Sequence, residues 1–288
     1  MRPDMLRRRS LVGGLVLAAA SAVFTPRDLL AKVALPQRLV TLGGSVTEIV
    51  YALGMGHHVI ADDASSVYPE AARQLPKVGY YRTVPLEGVL SVEPDLVLAS
   101  EHAGPPAVFD RLQSLNVRIA RVSDQPSLDS LYQRIRQIAD LLGVPDRGEA
   151  LVASIKASLA TSYSTSRNPP LSAVVLVSRT GGYQAAGSST AANAVLQLAG
   201  LHNVMAAQSG YKPLSVEALA SLAPDMIILT SASADALGGI DVFQQQPAVQ
   251  LTPAGQHGRV VVLDDLLILG LGPRVSQAVH LLRQRADR

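Results

Sequence analysis

Cysteine and tryptophan are absent from the 288 residues, and phenylalanine occurs three times. Without thiols, no disulfide framework, no thiolate metal site and no lipid-bearing cysteine behind an export signal is expected. Enzyme signatures are missing too. There is no GxSxG elbow, HExxH pair or Walker phosphate loop, and Gly43-Gly44-Ser45 lacks the glycine spacing and later acid of a dinucleotide fingerprint. Catalysis is therefore not expected. Long apolar runs are confined to the N-terminus, where the uncharged stretch Leu11 to Phe24 is 14 residues long, short of the roughly 20 needed to span a bilayer.

That stretch follows Arg7-Arg8-Arg9-Ser10 and reads, over residues 1–31, as an export signal peptide of the twin-arginine or the general secretory (Sec) type. Removing it leaves 20 basic and 21 acidic side chains, a formal charge near −1, so the basic character of the whole chain belongs to the signal. No basic stripe with interleaved aromatics remains, and a nucleic-acid partner is not expected. The expected location is the periplasm.

Beyond the signal, one segment occurs twice. Leu86-Glu87-Gly88-Val89-Leu90-Ser91-Val92-Glu93-Pro94-Asp95-Leu96-Val97-Leu98 is echoed by Val216-Glu217-Ala218-Leu219-Ala220-Ser221-Leu222-Ala223-Pro224-Asp225-Met226-Ile227-Ile228, with four identities and mostly apolar-for-apolar exchange elsewhere. Each copy reads as a short amphipathic helix, a Pro-Asp turn and a buried strand. The fold class that follows is α/β, with two Rossmann-like lobes and a core for each. An N-terminal lobe over 32–145 has strands at 38–42, 59–61, 96–99 and 118–122. A single long helix over 146–165, capped by Asp146 after the Gly143-Val144-Pro145 break, is the expected connector. A C-terminal lobe over 166–288 has strands at 173–178, 227–230 and 259–263 and an order mirroring the first. Open α/β sheets bind ligands beyond the carboxyl ends of their strands, which selects loops 43–47, 62–68, 78–85, 100–106, 179–190, 209–213 and 230–239 as cleft walls.

Three residue types could carry chemistry there. The histidines, His57-His58, His102, His202, His257 and His280, are scattered and read as solvated loop residues rather than a convergent metal site. Tyrosine is more suggestive: Gly79-Tyr80-Tyr81-Arg82 lies on an expected cleft loop. A phenol titrates near 10 and binds metal only when deprotonated; a neighbouring guanidinium and ferric iron both favour the phenolate. In an extended segment Tyr80 and Arg82 would leave the same face; a tyrosine that merely anchors its loop is the other reading. Glu87 and Glu217 stand at matching places in the echo, so a stiff two-lobed particle could present one carboxylate per lobe to a two-fold symmetric partner.

From Arg38 onward the chain resembles the haem (haemin) ABC-transporter periplasmic substrate-binding proteins, within a wider group that carries corrinoids and ferric siderophores. The resemblance is carried by Leu42 to Gly54, Leu75-Pro76-Lys77-Val78-Gly79-Tyr80-Tyr81-Arg82, Glu87 to Asp95 within the first copy of the echo, Gly187 to Gly200, Gly210-Tyr211-Lys212-Pro213-Leu214-Ser215 and Leu271-Gly272-Pro273-Arg274. It implies the class III periplasmic binding protein architecture, a monomer with little hinge motion, and transport of ferric haem b or, alternatively, another large chelate. An exported cofactor-dependent enzyme is the more distant option. The resemblance further implies that Tyr80 is the axial ligand to iron, that Arg82, Tyr81, Tyr211 and Lys212 contact the ligand, and that Glu87 and Glu217 dock on an ABC permease at the inner membrane. Ser178-Arg179-Thr180 lacks the histidine found in some relatives, and Ser231-Ala232-Ser233-Ala234 lacks their arginine, so five-coordinate iron is expected.

Overall fold

The computed structural model describes residues 35–161, 169–178 and 182–287. The export signal over 1–31, the connector beyond Thr161 and Arg179-Thr180 lie outside the described residues.

The chain runs β1 (Leu39–Leu42), α1 (Gly44–Ala52), β2 (Val59–Asp62), α2 (Glu70–Arg73), α3 (Leu86–Leu90), β3 (Leu96–Ser100), α4 (Pro106–Ser114), β4 (Arg118–Val122), α5 (Leu128–Leu141) and α6 (Pro145–Thr161). It continues with β5 (Ser172–Ser178), β6 (Tyr183–Ala186), α7 (Ala191–Leu198), β7 (His202–Asn203), β8 (Tyr211–Leu214), α8 (Val216–Leu222), β9 (Met226–Thr230), α9 (Ser231–Ala236), α10 (Ile240–Gln244), α11 (Pro247–Gln250), α12 (Pro253–Gln256), β10 (Val260–Leu263), α13 (Asp265–Leu269) and α14 (Val275–Ala286). The first sheet, in order β2-β1-β3-β4, is wholly parallel. The second repeats that order as β7-β5-β9-β10 but adds an antiparallel ribbon, β6 and β8, beside the carboxyl half of β5. The mirrored order therefore holds for the parallel strands alone. Residues 183–186 and 211–213, expected as loops, lie in strands β6 and β8, because β7 pairs only with Ser172 and Ala173 and leaves the rest of that edge open to β6.

The echo has a structural basis in both lobes. Glu93 and Ala223, at the same position in the two copies, both turn the chain through the left-handed region, with φ 45° and 44°. The aspartate two residues later then ties its strand to the start of the lobe's first strand. Asp95 Oδ2 accepts the amides of Gln37 and Arg38 at 2.7 and 3.1 Å, and Asp225 Oδ2 accepts the Ser172 amide and hydroxyl at 2.9 and 2.7 Å. Each Pro-Asp is thus a staple between adjacent parallel strands.

Two separate cores were expected; the described residues form three apolar clusters, one of them shared. Strand alternation sends Leu39, Leu96 and Leu98 of the first lobe, and Ala173, Val175, Met226 and Ile228 of the second, into the same cluster. Helix α6 contributes Val152, Ile155 and Leu159 to it, and α14 contributes Val275, Val279 and Leu282. The opposite sheet faces have clusters of their own, Val40, Leu42 and Val97 with Phe109 in one lobe, and Val174, Ile227 and Leu229 with Phe243 in the other. Relative lobe motion would expose the shared apolar surface, at about 25 cal/mol per Å². This packing opposes movement of one lobe against the other.

Candidate functional site

Between the two sheets lies a cleft of about 1470 Å³, above the roughly 300–1,000 Å³ usual for small-molecule sites. Residues from all seven loops selected from the sequence line it, as do two segments the sequence reading passed over, Asp124-Gln125-Pro126 and Asp264 to Leu271. Both follow the carboxyl ends of strands, β4 and β10, so the rule that found the other seven reaches them as well.

The tyrosine loop is fixed from several sides. Its lead-in is held by bonds from the Ala64 amide to the Gly79 carbonyl at 2.8 Å and from the Val78 amide to the Asp62 carbonyl at 2.9 Å. Gly79 sits at φ 120°, and a Cβ there would lie 2.5 Å from Pro85 Cδ, so no other residue fits. On the far side the Gly104 amide donates to the Tyr81 carbonyl at 2.9 Å and the Val84 amide to the Gly104 carbonyl at 2.7 Å.

Tyr80 to Thr83 forms a tight turn, the Thr83 amide donating to the Tyr80 carbonyl at 2.9 Å. The segment is not extended, so the same-face argument for Tyr80 and Arg82 does not hold. The turn instead sets the Arg82 guanidinium over the Tyr81 ring, 4.9 Å from its centroid, while that ring meets Tyr80 edge-on at 5.1 Å and 74°. Burial, only partly offset by Arg82, pushes the Tyr81 phenol well above its ordinary value. Both Tyr80 and Tyr81 are half-buried, and both line the cleft wall.

On the opposite wall Tyr211 opens β8 with 42% of its surface exposed, next to Gly210. Lys212, one residue on, is exposed and is not among the residues lining the cleft. Lys77 does line it, but its ammonium is engaged by Asp62 Oδ1 at 2.5 Å and by the carbonyls of Ala72 and Ser66 at 2.8 and 3.2 Å. Ser231 to Ala236, expected as loop, is the helix α9, whose Ser231, Ala232 and Asp235 face the cleft.

Of the histidines, His102 lines the cleft, with its Nδ1 3.8 Å from Asp124 Oδ2. Asp124 also accepts the Ser100 hydroxyl at 2.6 Å and pairs with the fully buried Arg134, which donates to the Leu271 carbonyl of the second lobe at 2.7 Å. A sequence spacing of two beyond the end of β3 was the available sign of His102. A second link joins the lobes where Arg274 meets the buried Glu48 carboxylate of α1.

Glu87 and Glu217 are each the second residue of their helix, α3 and α8, and both are exposed. Its own backbone amide, with help from the Ser215 hydroxyl, holds the Glu217 carboxyl below the usual carboxylate range, so it is charged at neutral pH.

The solved structure of the periplasmic heme-binding protein RhuT from Roseiflexus sp. RS-1 in apo form is similar with a TM-score of 0.81 and 38% identity, covering 86% of this chain and 97% of that one. An uncharacterized ABC transporter substrate-binding lipoprotein of Bacillus subtilis (strain 168) is 30% identical over 86% of this chain and 79% of its own length. The vitamin B12-binding protein of Pectobacterium carotovorum subsp. carotovorum (strain PC1) is 35% identical over 116 residues, 42% of that protein. The family described as periplasmic binding protein matches residues 39–267. The chain, two α/β lobes about a ligand-sized cleft, belongs to the periplasmic binding protein family.

Proposed function

We propose that this chain is an exported haem carrier, which captures ferric haem in the inter-lobe cleft and hands it to an ABC permease of the inner membrane. The observation that carries the reading is the pinned Tyr80 turn at a large cleft, with the neighbouring Tyr81 kept neutral and Arg82 stacked upon it. A phenolate is a hard donor suited to ferric iron. In this reading Tyr80 holds the iron, Tyr211 lies against the macrocycle from the second lobe, and Arg82 meets a propionate. Leu266, Leu269 and Leu271 give the cleft an apolar wall for the porphyrin edge. The likeness to a heme-binding protein along 97% of its length supports haem as the cargo.

Delivery follows from stiffness and charge. Two helices present exposed carboxylates at equivalent positions, so a permease with a two-fold arrangement of arginines can take both lobes at once. In this reading the protein works in the periplasm as a monomer, after export by a twin-arginine or Sec signal, and acts as a binding protein rather than an enzyme.

Haemin added to the purified apo-protein is expected to give a high-spin ferric spectrum, and Tyr80→Ala is expected to weaken binding and change that spectrum. An unaltered spectrum in Tyr80→Ala would remove the iron assignment. A second reading, a corrinoid, is favoured by the match to the vitamin B12-binding protein. Displacement of haemin by equimolar cyanocobalamin would support it over haem.

A further inference from the structure

Beneath the tyrosine turn lies a carboxylate that the ligand reading leaves without a role. Asp63 is fully buried, and its two oxygens collect five donors. Oδ1 accepts the Gly43 amide at 2.8 Å and the Ser65 and Ser66 hydroxyls at 2.9 and 3.2 Å; Oδ2 accepts the Ser65 amide at 3.0 Å and the Tyr81 amide at 3.1 Å. Most of these partners are local, as expected for an aspartate that closes a turn. Two are not. Gly43 directly follows the first strand of the lobe, 20 residues earlier, and Tyr81 lies 18 residues later in the turn that displays Tyr80.

We infer that Asp63 is the positioning residue for Tyr80: its carboxylate ties the tyrosine turn to the rigid carboxyl end of β1, and so fixes the angle at which the phenol meets its ligand. A bond from a peptide N–H to an ionised carboxylate is about twice as strong as one between neutral groups. The backbone of residue 81 is the point where such a bond constrains both flanking side chains, the iron-facing phenol on one side and the Arg82 cation on the other. Partners behind a metal ligand commonly change affinity by about 10–100-fold when removed. The inference rests on Tyr80 as the iron ligand, but its mechanical part can be read without any ligand.

The experiment measures amide hydrogen exchange and haemin spectra together, on wild type, Asp63→Asn and Ser66→Ala. In the wild-type apo-protein the Tyr81 amide is expected to be protected to a degree comparable with Gly43, although it lies in a loop; exchange at an open-loop rate would overturn the inference without any variant. In Asp63→Asn the amide group cannot accept from both sides, and exchange at Tyr81 should rise about tenfold or more. Haem release should quicken by a similar factor, with a shift in the phenolate-to-iron charge-transfer band. Ser66→Ala removes one donor to the same carboxylate but leaves the Tyr81 bond intact, and should keep the wild-type band whatever its loss in melting temperature. Equal spectra for Asp63→Asn and wild type, or equal shifts in both variants, would refute the positioning role. A wild type that takes up no haemin at all would sink the haem reading instead, and the exchange data would still decide whether Asp63 holds the turn.

Discussion

Removing the Arg274 side chain tests how the lobes are joined. Glu48, in the middle of α1, is 3% exposed; its Oε1 accepts the Arg274 amide and Nε at 3.2 and 3.1 Å, and its Oε2 the Nη2 at 3.4 Å. Arg274 also reaches Asp264 at 3.3 Å and stacks over the Tyr68 ring, 3.5 Å from its centroid. Burial holds the Glu48 carboxyl above its ordinary value even though Arg274 acts to lower it. A carboxyl raised in this way binds its proton more tightly in the folded chain than in the unfolded one. Its contribution to stability is therefore fully present below the unfolded value of 4.5 and is lost as pH rises through the folded value.

Arg274→Ala removes the opposing influence, so the carboxyl rises further and the loss extends to higher pH. Stranding one member of a buried pair costs about 3–5 kcal/mol, and for a chain of this size about 1 kcal/mol moves the melting temperature by about 2–4 °C. The variant is expected to melt roughly 6–20 °C below wild type at pH 7.5, with a smaller gap at pH 4.5, where Glu48 can take up a proton. Calorimetry at the two pH values measures this. A gap independent of pH, or no gap at pH 7.5, would refute the charge argument and leave only packing.

Truncating the shared core should act on both lobes. Ile155→Ala is expected to cost about 2–5 kcal/mol while leaving a single calorimetric transition; two separate transitions would contradict a common core. Tyr81→Phe, which deletes a phenol that stays protonated, should preserve the haemin spectrum, and a spectrum like that of Tyr80→Ala would reverse the assignment of the two rings. Glu87→Ala and Glu217→Ala should leave haemin affinity as in wild type yet abolish uptake by permease-containing proteoliposomes, each alone causing a severe loss; unchanged uptake in the double variant would remove these residues from docking.

Most elements are legible in the residue order alone, because the signals for them act over a few residues. Strands 118–122 and 96–100, the helix starting at 128 and the break at Gly143-Val144-Pro145 are set by apolar period, turn residues and caps such as Ser127, whose hydroxyl accepts the Ser130 amide. The echo gave one parallel strand in each lobe, β3 and β9, and the rule of strand carboxyl ends gave the cleft loops, since in a parallel sheet those ends share one edge. The ribbon of β6 and β8 was not legible, as it exists only because β7 is too short to cover the edge of β5. Nor was the Tyr80–Thr83 turn, whose shape depends on straps from Asp63 and Gly104. Only the tertiary structure could merge the two expected cores or bring Arg274 to Glu48 from 226 residues away. Such pairings are chosen by how whole elements pack, and no local pattern carries them.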